Sequence, residues 1–410
     1  MHNVTILGST GTIGVNTLDV IARHPDRFRV TALTANKDAG RLIEQCLKFQ
    51  PEFAVCVDPR AAEAVNERLR EKKSETQVFC GASALTKAAS LPQVDIVMAA
   101  IVGAAGLLPA LAAAKSGKRL LLANKEALVM TGELFVSAVR ENGGQLIPID
   151  SEHNAIYQAL PSGYDGDAKA AGVKRIWLTA SGGPFRALPL DAFHAVTPEQ
   201  ACAHPKWAMG KKISVDSATM MNKGLELIEA CFLFNLPPER VRVVVHPQSI
   251  VHSLVEYVDG SLIAQLSNPD MRTPIAYGLG FPERIESGAP ELNLSEIENL
   301  AFDSPDNERF PCLRLAERAL KLGGVAPAVL NAANEVAVNH FLMGNIAFTF
   351  IPEVIERVLE EVKMASAETL ERVLAADAEA RSLAEEWINK SGSRIEDSGP
   401  SPQSSVLIPH

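Results

Sequence analysis

Asp150, Ser151, Glu152 and His153 follow directly on a short apolar run, Leu146–Ile149, within the segment GGQLIPIDSEHNAIYQAL. Side chains two apart in an extended stretch point the same way, so Asp150 and Glu152 are expected to meet one ion. Hard oxygen ligands without thiolates suit Mg²⁺ or Mn²⁺. The same residues also read as a helix start, with Ser151 as cap and the acids on the helix dipole, and the two readings can coexist. A third acid is needed. ISVDSATMMNKGLELIEA supplies Glu226, while Asp216 and Glu229 are rivals that spacing leaves open. Around Glu226, the small donors Ser217 and Asn222 and the cation Lys223 suit a phosphate. Ser181 in TASGGPFR is a further candidate, because Gly182 and Gly183 would expose backbone amides to an anion. Between these stretches HPKWAMGKKIS, His204–Ser214, reads as a loop that closes as a lid, or as one with Trp207 packed on the body.

A second chemistry lies at the N-terminus. NVTILGSTGTIGVNTLDVI sets Gly8, Gly11 and Gly14 after an expected strand, with Thr10, Thr12 and Ile13 filling the loop. Glycines there let the backbone approach a pyrophosphate at a helix N-terminus. The spacing is GxxGxxG rather than GxGxxG, so the motif also fits a tight turn without a ligand. The next strand ends in Ala35-Asn36-Lys37, with no carboxylate for a ribose 2′-hydroxyl and with a lysine suited to a 2′-phosphate, hence NADP; Asp38 is expected to cap the following helix. KRLLLANKEALVM brings Asn124, Lys125 and Glu126 to another strand end, where Asn124 can reach a cofactor and Lys125 a substrate.

The elements that must position these residues fall into three groups. Through residue 149, strands alternate with helices, among them Val4–Leu7 then Asn16–Arg23 and Phe28–Ala35 then Ala39–Phe49. That is the pattern of an α/β, doubly wound, Rossmann-like parallel sheet. From 150 to 280 a mixed or antiparallel sheet with helical cover is expected, an α+β catalytic domain with its flap near 204–212. HSLVEYV-DG-SLIAQLS reads as a hairpin closed by a tight Asp259-Gly260 turn. Pro269 to Asp306, rich in Pro, Gly and Asn, reads as a connecting segment, with 281–306 as the linker proper. Residues 307–390 carry helical apolar spacing, as in a helical bundle, and 391–410, rich in Ser and Pro, read as a disordered tail.

Composition bounds the rest. In 410 residues, 47% apolar and 21% charged, the balance is that of a folded soluble protein of several domains. The net charge of −10 and the lack of a basic run argue against a nucleic-acid partner. No two of the six cysteines form a CxxC pair, so a thiolate metal site is not expected, and reduced thiols in a cytoplasm are. Ile96–Ala114 carries no charge but is broken by Gly103, Gly106 and Pro109, so strand, loop and helix fit it better than a membrane span.

Taken together, GSTGTIG, LLANKEALV, IPIDSEHNAIYQ, TASGGPFR, HPKWAMGKKISVDSATMMNKGLELIEA and VVVHPQSIVHSLVEYVDGS resemble the 1-deoxy-D-xylulose 5-phosphate reductoisomerase family, from about residue 4 to 388. The resemblance implies an NADPH-dependent homodimeric enzyme using Mg²⁺ or Mn²⁺, which turns 1-deoxy-D-xylulose 5-phosphate into 2-C-methyl-D-erythritol 4-phosphate in the non-mevalonate isoprenoid pathway. It implies Asp150, Glu152 and Glu226 as metal ligands and Ser181, Ser217, Asn222 and Lys223 at the phosphate. It places Ser151, Lys125 and His204 on the substrate. Thr10, Gly11, Thr12, Ile13, Asn36, Lys37, Asp38, Asn124, Glu126 and Gly210 would touch NADPH, and Trp207 and Met209 would lie in the flap. The stretch Ala35–Asp38 departs from the Gly-Lys-Asn form of some members. Two other readings are a plain NADP-dependent dehydrogenase of the homoserine or semialdehyde type, which the three-acid set disfavours, and a non-catalytic NADP-binding sensor.

If Lys37 holds the 2′-phosphate, Lys37→Ala should weaken NADPH by about 1–3 kcal/mol and leave NADH nearly untouched. Titration of both cofactors checks this, and equal losses would remove Lys37 from the site.

Overall fold

The computed structural model describes residues 1–204, 207 and 210–396, the side chains of 391–396 excepted. Seven strands form the first sheet: β1 (His2–Leu7), β2 (Phe28–Ala35), β3 (Phe53–Cys56), β4 (Gln77–Cys80), β5 (Ile96–Ala99), β6 (Arg119–Leu122) and β7 (Gln145–Pro148). All neighbours are parallel, in the order β4-β3-β2-β1-β5-β6-β7. The inner strands are mostly apolar because both of their faces are covered. Ile96–Met98 and Leu120–Leu122 are at most 1% exposed. The order reverses between β1 and β5, which opens a crevice at their carboxyl ends.

The expected α/β alternation is present, with one early shift. The first helix starts at Thr12 rather than Asn16, so Thr12 and Ile13 are its first turn and not loop. Gly14 permits this: a Cβ there would lie 2.4 Å from Ser9 Cα. Gly11 is the N-cap and offers no side-chain partner to the first turn of N–H groups. The apolar stretch from Ile96 resolves into β5, a 3₁₀ turn at Ala104–Gly106 and the helix Leu107–Lys115. Among the described residues no helix is long and apolar enough to cross a membrane.

A second, mixed sheet comprises β8 (Val173–Ala180), β9 (Val241–Val245), β10 (Val251–Tyr257) and β11 (Leu262–Leu266), ordered β11-β10-β8-β9. Strand β10 is antiparallel to β8 and β11, and β8 is parallel to β9. The hairpin is where it was expected, but its loop runs from Val258 to Ser261 rather than being a two-residue turn. The Tyr257 N–H donates to the Ser261 carbonyl at 2.9 Å, and Asp259 Oδ1 accepts the Ser261 N–H at 2.9 Å.

The connecting reading of Pro269–Asp306 needs correction, because Arg272–Gly280 is a helix. Ile275, Ala276 and Leu279 are buried in one apolar cluster with Ile21, Leu121 and Ile147 of the first sheet's core. Pro274 stands in the first turn, where its missing N–H costs nothing. Gly278 lets the helix approach closely, since a Cβ there would lie 2.9 Å from Ile149 Cδ1. Both residues read as punctuation in the sequence and serve packing instead. Four helices follow: Pro311–Leu322, Ala326–Leu342, Phe350–Glu361 and Leu370–Glu396. The last passes beyond Lys390 to Glu396. The remainder of the expected tail, 397–410, lies outside the described residues.

Ile275→Ala should destabilise the protein by about 2–5 kcal/mol, as for a large-to-small change in a packed core. Urea unfolding measures it, and a loss near zero would return the segment to the surface.

Candidate active site

Strand ends converge on one cavity of about 320 Å³. Residues following β1 (Gly11, Thr12, Ile13), β5 (Ala100, Val102), β6 (Ala123, Lys125) and β7 (Asp150) line one side of it. Thr179–Gly182, at the end of β8 in the second sheet, lines another.

Asp150 leaves β7 as the N-cap of the helix Ser151–Ala159, and Glu152 stands in its first turn. The two carboxylates therefore do not converge by strand alternation, and the cap is Asp150 rather than Ser151. Their approach comes from the helix start, and Glu226 meets them from the middle of the helix Met221–Leu233. One oxygen from each of the three lies within 4.8 Å of the others. Oxygens bound to one Mg²⁺ lie up to roughly 4 Å apart, so small side-chain adjustments bring this trio to an ion.

Two ammonium groups neutralise the acids. Lys125, 8% exposed, pairs with Asp150 and reaches Glu226 Oε1 at 3.2 Å. Lys223, 3% exposed, pairs with Glu226 and reaches Glu152 Oε1 at 2.9 Å. Asn222 ties them together, accepting from Lys125 at 2.9 Å and donating to Glu226 Oε1 at 2.6 Å. Ser151 donates to Glu152 Oε2 at 2.6 Å. Burial opposes the charge on both lysines, but the surrounding carboxylates win and raise both pKa values. For Glu152 burial is again the largest influence, yet Lys223 and the Ser151 hydroxyl outweigh it and hold its pKa low. Glu226 goes the other way. Burial, then the charge of Glu152, pushes its pKa up to about 7, against Lys125 and Lys223. Glu226 lies beneath the cavity wall, under Lys125, Asn222 and Lys223.

The rival acids are placed elsewhere. Glu229 stands 3.3 Å from Nδ1 of the fully buried His153, whose Nε2 bonds the Glu226 carbonyl oxygen at 2.9 Å. These two share a second possible ligand group with Asp150, although neither of them lines the cavity. Asp216 accepts from Asn334 at 2.8 Å and pairs with Lys212 at 2.8 Å.

Ser181, Ser217, Asn222 and Lys223, the residues expected at a phosphate, all stand on the cavity wall. Gly182 and Gly183 have φ of +82° and +68°, and a Cβ on Gly183 would meet the Ser217 carbonyl oxygen at 2.6 Å. His204 Nε2 bonds Ser181 Oγ at 2.9 Å, and its Nδ1 accepts the Trp207 N–H at 2.9 Å. Burial holds the His204 pKa below the usual imidazole value, although Glu152 works the other way. Trp207 and Gly210 also face the cavity, whereas Pro205, Lys206, Ala208 and Met209 of the expected flap lie outside the described residues.

Not every expected cofactor residue reaches the cavity. Asn36, Lys37 and Asp38 follow β2, away from it, and Asp38 caps the next helix, accepting the Arg41 N–H at 3.0 Å. Asn124 and Glu126 are turned into the protein. The Asn124 amide donates to the Gly103 carbonyl at 2.9 Å and its oxygen caps Ala127 N–H at 2.8 Å; Glu126 pairs with Lys212 at 2.6 Å. Two residues had no role in the sequence reading. Arg41 donates to the Thr10 carbonyl at 2.8 Å beside Asp38, and was legible only as a cation six residues after a strand. His252 lines the cavity 6.2 Å from the Trp207 ring centroid, and stood in a quoted motif without a task.

A doubly wound sheet whose glycine turn shares a cavity with this polar centre defines a dinucleotide-dependent enzyme of the oxidoreductase class. Family models narrow the class: 1-deoxy-D-xylulose 5-phosphate reductoisomerase matches residues 4–132, and two C-terminal domain models of the same family match 146–234 and 266–383. A relative of that name from Nitrosospira multiformis is 61% identical over 388 residues, covering 95% of this chain and 98% of its own. One from Nitrosomonas eutropha is 59% identical over 389 residues, covering 95% and 94%. A solved DOX-P reductoisomerase in complex with NADPH, fosmidomycin and magnesium superposes with a TM-score of 0.89 at 43% identity, over 98% of this chain and 100% of that one. The Zymomonas mobilis enzyme in complex with NADPH gives 0.87 at 47% identity, over 94% and 98%. The chain belongs to the 1-deoxy-D-xylulose 5-phosphate reductoisomerase family.

With the Glu226 pKa raised to about 7, a cation binding there displaces a proton at and below neutral pH. The carboxylate form grows as pH rises, so Mg²⁺ affinity should tighten steadily with pH up to about pH 7 and level off above about pH 8. Calorimetry in buffers of different ionisation enthalpy reads the proton released. Glu226→Gln should abolish the release, and a pH-independent affinity in the unaltered protein would refute the shift.

Proposed function

We propose that the chain catalyses the NADPH-dependent rearrangement and reduction of 1-deoxy-D-xylulose 5-phosphate to 2-C-methyl-D-erythritol 4-phosphate, a step of non-mevalonate isoprenoid synthesis. Beside the family membership, one observation carries this reading. The carboxylate–lysine centre and the glycine turn open on the same cavity.

Asp150, Glu152 and Glu226 would hold Mg²⁺ or Mn²⁺, for which three convergent carboxylates are a fitting donor set. When bound, the ion supplies a Lewis acid to neighbouring ketone and hydroxyl oxygens. NADPH supplies the hydride. The chain's own residues bind and orient. Lys125, kept charged by its acidic neighbours, would hold a substrate oxygen, and Ser151 and His204 would fix the sugar chain beside it. Ser181, Ser217, Asn222 and Lys223 would receive the phosphate, with the Gly182–Gly183 turn setting their approach. Thr10, Gly11, Thr12, Ile13 and Gly210 would line the pyrophosphate and nicotinamide path, with Asn36, Lys37 and Asp38 at the adenosine end. Asn124 and Glu126 would act on the cofactor through the backbone and the lysine they hold. Residues 1–149, 150–280 and 307–390 would form the nucleotide, catalytic and helical domains.

A cytoplasmic homodimer is the assembly we favour. Among the described residues strand β11 is an unpaired sheet edge, with Leu262 and Ile263 about half exposed, as a two-fold interface would use. Sedimentation should give a dimer that the Leu262→Lys, Ile263→Lys double variant dissociates; an unchanged mass would place the interface elsewhere.

The test of function is NADPH oxidation with 1-deoxy-D-xylulose 5-phosphate, with and without Mg²⁺, and carbon connectivity of the product. Asp150→Asn should lower kcat by at least about 10²-fold while NADPH binding stays within a few-fold. An unrearranged skeleton would indicate a plain dehydrogenase, and cofactor binding without turnover a sensor.

A further inference from the structure

None of the residues given a chemical task lies on the four C-terminal helices, yet one of those helices reaches the cofactor crevice. Glu335, on the helix Ala326–Leu342, accepts the Ala104 N–H on Oε1 at 3.1 Å. The Asn331 amide donates to the same oxygen at 3.1 Å. Arg381, on the last helix, donates to Oε2 at 2.7 Å and is itself held by Asp377 at 2.8 and 3.0 Å. The Glu335 side chain is 17% exposed, so its carboxylate is largely withdrawn from water and firmly paired.

Ala104 belongs to the segment that leaves β5 at the switch point, where Ala100 and Val102 line the cavity. Gly103, between Val102 and Ala104, has φ +75°, and a Cβ there would sit 2.9 Å from Glu335 Oε1. A side chain at this point would collide with the carboxylate, so the glycine is what lets Glu335 approach and accept the Ala104 N–H. From the opposite side Asn124 binds the carbonyls of Ile101 and Gly103. The loop is held by its carbonyls from within the nucleotide domain and by an N–H from the helical domain.

We propose that Glu335 is a positioning residue for the nicotinamide cofactor, fixing the 100–104 loop in its cavity-lining shape, with Arg381 fixing Glu335. This rests on the reading of the crevice as the NADPH site. A loop ordered beforehand spares the entropy of ordering it on binding, which acts on affinity rather than on the chemical step. The helix has other anchors. Ala328 is buried in the core of the first sheet's helical layer, and Asn334 bonds Asp216 at 2.8 Å. Loss of the Glu335 carboxylate therefore leaves it docked.

The experiment compares Glu335→Ala, Glu335→Gln and Arg381→Met in the full chain, by NADPH fluorescence titration, steady-state kinetics and Tm. Glu335→Ala should raise the NADPH Kd and KM about tenfold and leave kcat at saturating cofactor within about threefold. Glu335→Gln keeps an acceptor for the Ala104 N–H and should return to within about threefold of the original Kd. Arg381→Met should fall between, and it reads the same quantities if Glu335→Ala fails to fold. A lowered Tm with unchanged NADPH affinity would overturn the proposal, as would a loss of kcat at unchanged affinity. Failure of the unaltered protein to bind NADPH would instead overturn the cofactor reading beneath it.

Discussion

Three carboxylates and two ammonium groups are crowded into one largely buried volume, and the rest of the site depends on that balance. Taking any of these charges out of water alone is costly; together they are tolerable because each has an opposite partner. Asp150 and Glu152 come from the end of β7, Lys125 from the end of β6, and Lys223 and Glu226 from a helix that also packs under the second sheet. Pairing them ties the ends of β6 and β7 in the first sheet to the helix that packs under the second. With all three acids ionised the centre carries one net negative charge, and the raised pKa of Glu226 lets a proton balance that charge until a cation replaces it.

The parallel sheet makes that arrangement accessible. Its strands end on one edge, so the glycine turn after β1 and the acid after β7 face the same crevice although nearly 140 residues separate them. The second sheet closes the crevice with Ser181 and its two glycines. The helix Ala326–Leu342 braces it from behind through Glu335 on one loop and Asn334 on Asp216. Inside such an enclosure charges act through less water, which makes the placement of each lysine and carboxylate count for more.

Local features were legible in the sequence. Strand–helix alternation, the glycine turn and the capping role of Asp38 depend on neighbours in the chain, and the structure has them. The pairing of Asp150 with Glu152 was legible for an incomplete reason: strand alternation suggested it, whereas a helix start produces it. Glu226 could not be separated from Asp216 and Glu229 by spacing, because what divides them is tertiary: Lys212 and Asn334 take one, and His153 the other. The helix Arg272–Gly280 was hidden by Pro274 and Gly278, residues that interrupt a pattern and here allow close packing. Glu335 and Arg381 gave no signal, since the contacts that tie them to the crevice, to the Ala104 N–H and to each other, cross 231 and 46 residues.

The central claim is that this carboxylate–lysine cluster is the metal site. Anomalous diffraction from crystals soaked in Mn²⁺ addresses it without reference to turnover. The account predicts one peak within bonding distance of Asp150, Glu152 and Glu226, with the ammonium groups of Lys125 and Lys223 drawn back from those oxygens. A peak instead between His153 and Glu229, or Mn²⁺ bound while both lysines keep their ion pairs unchanged, would contradict it.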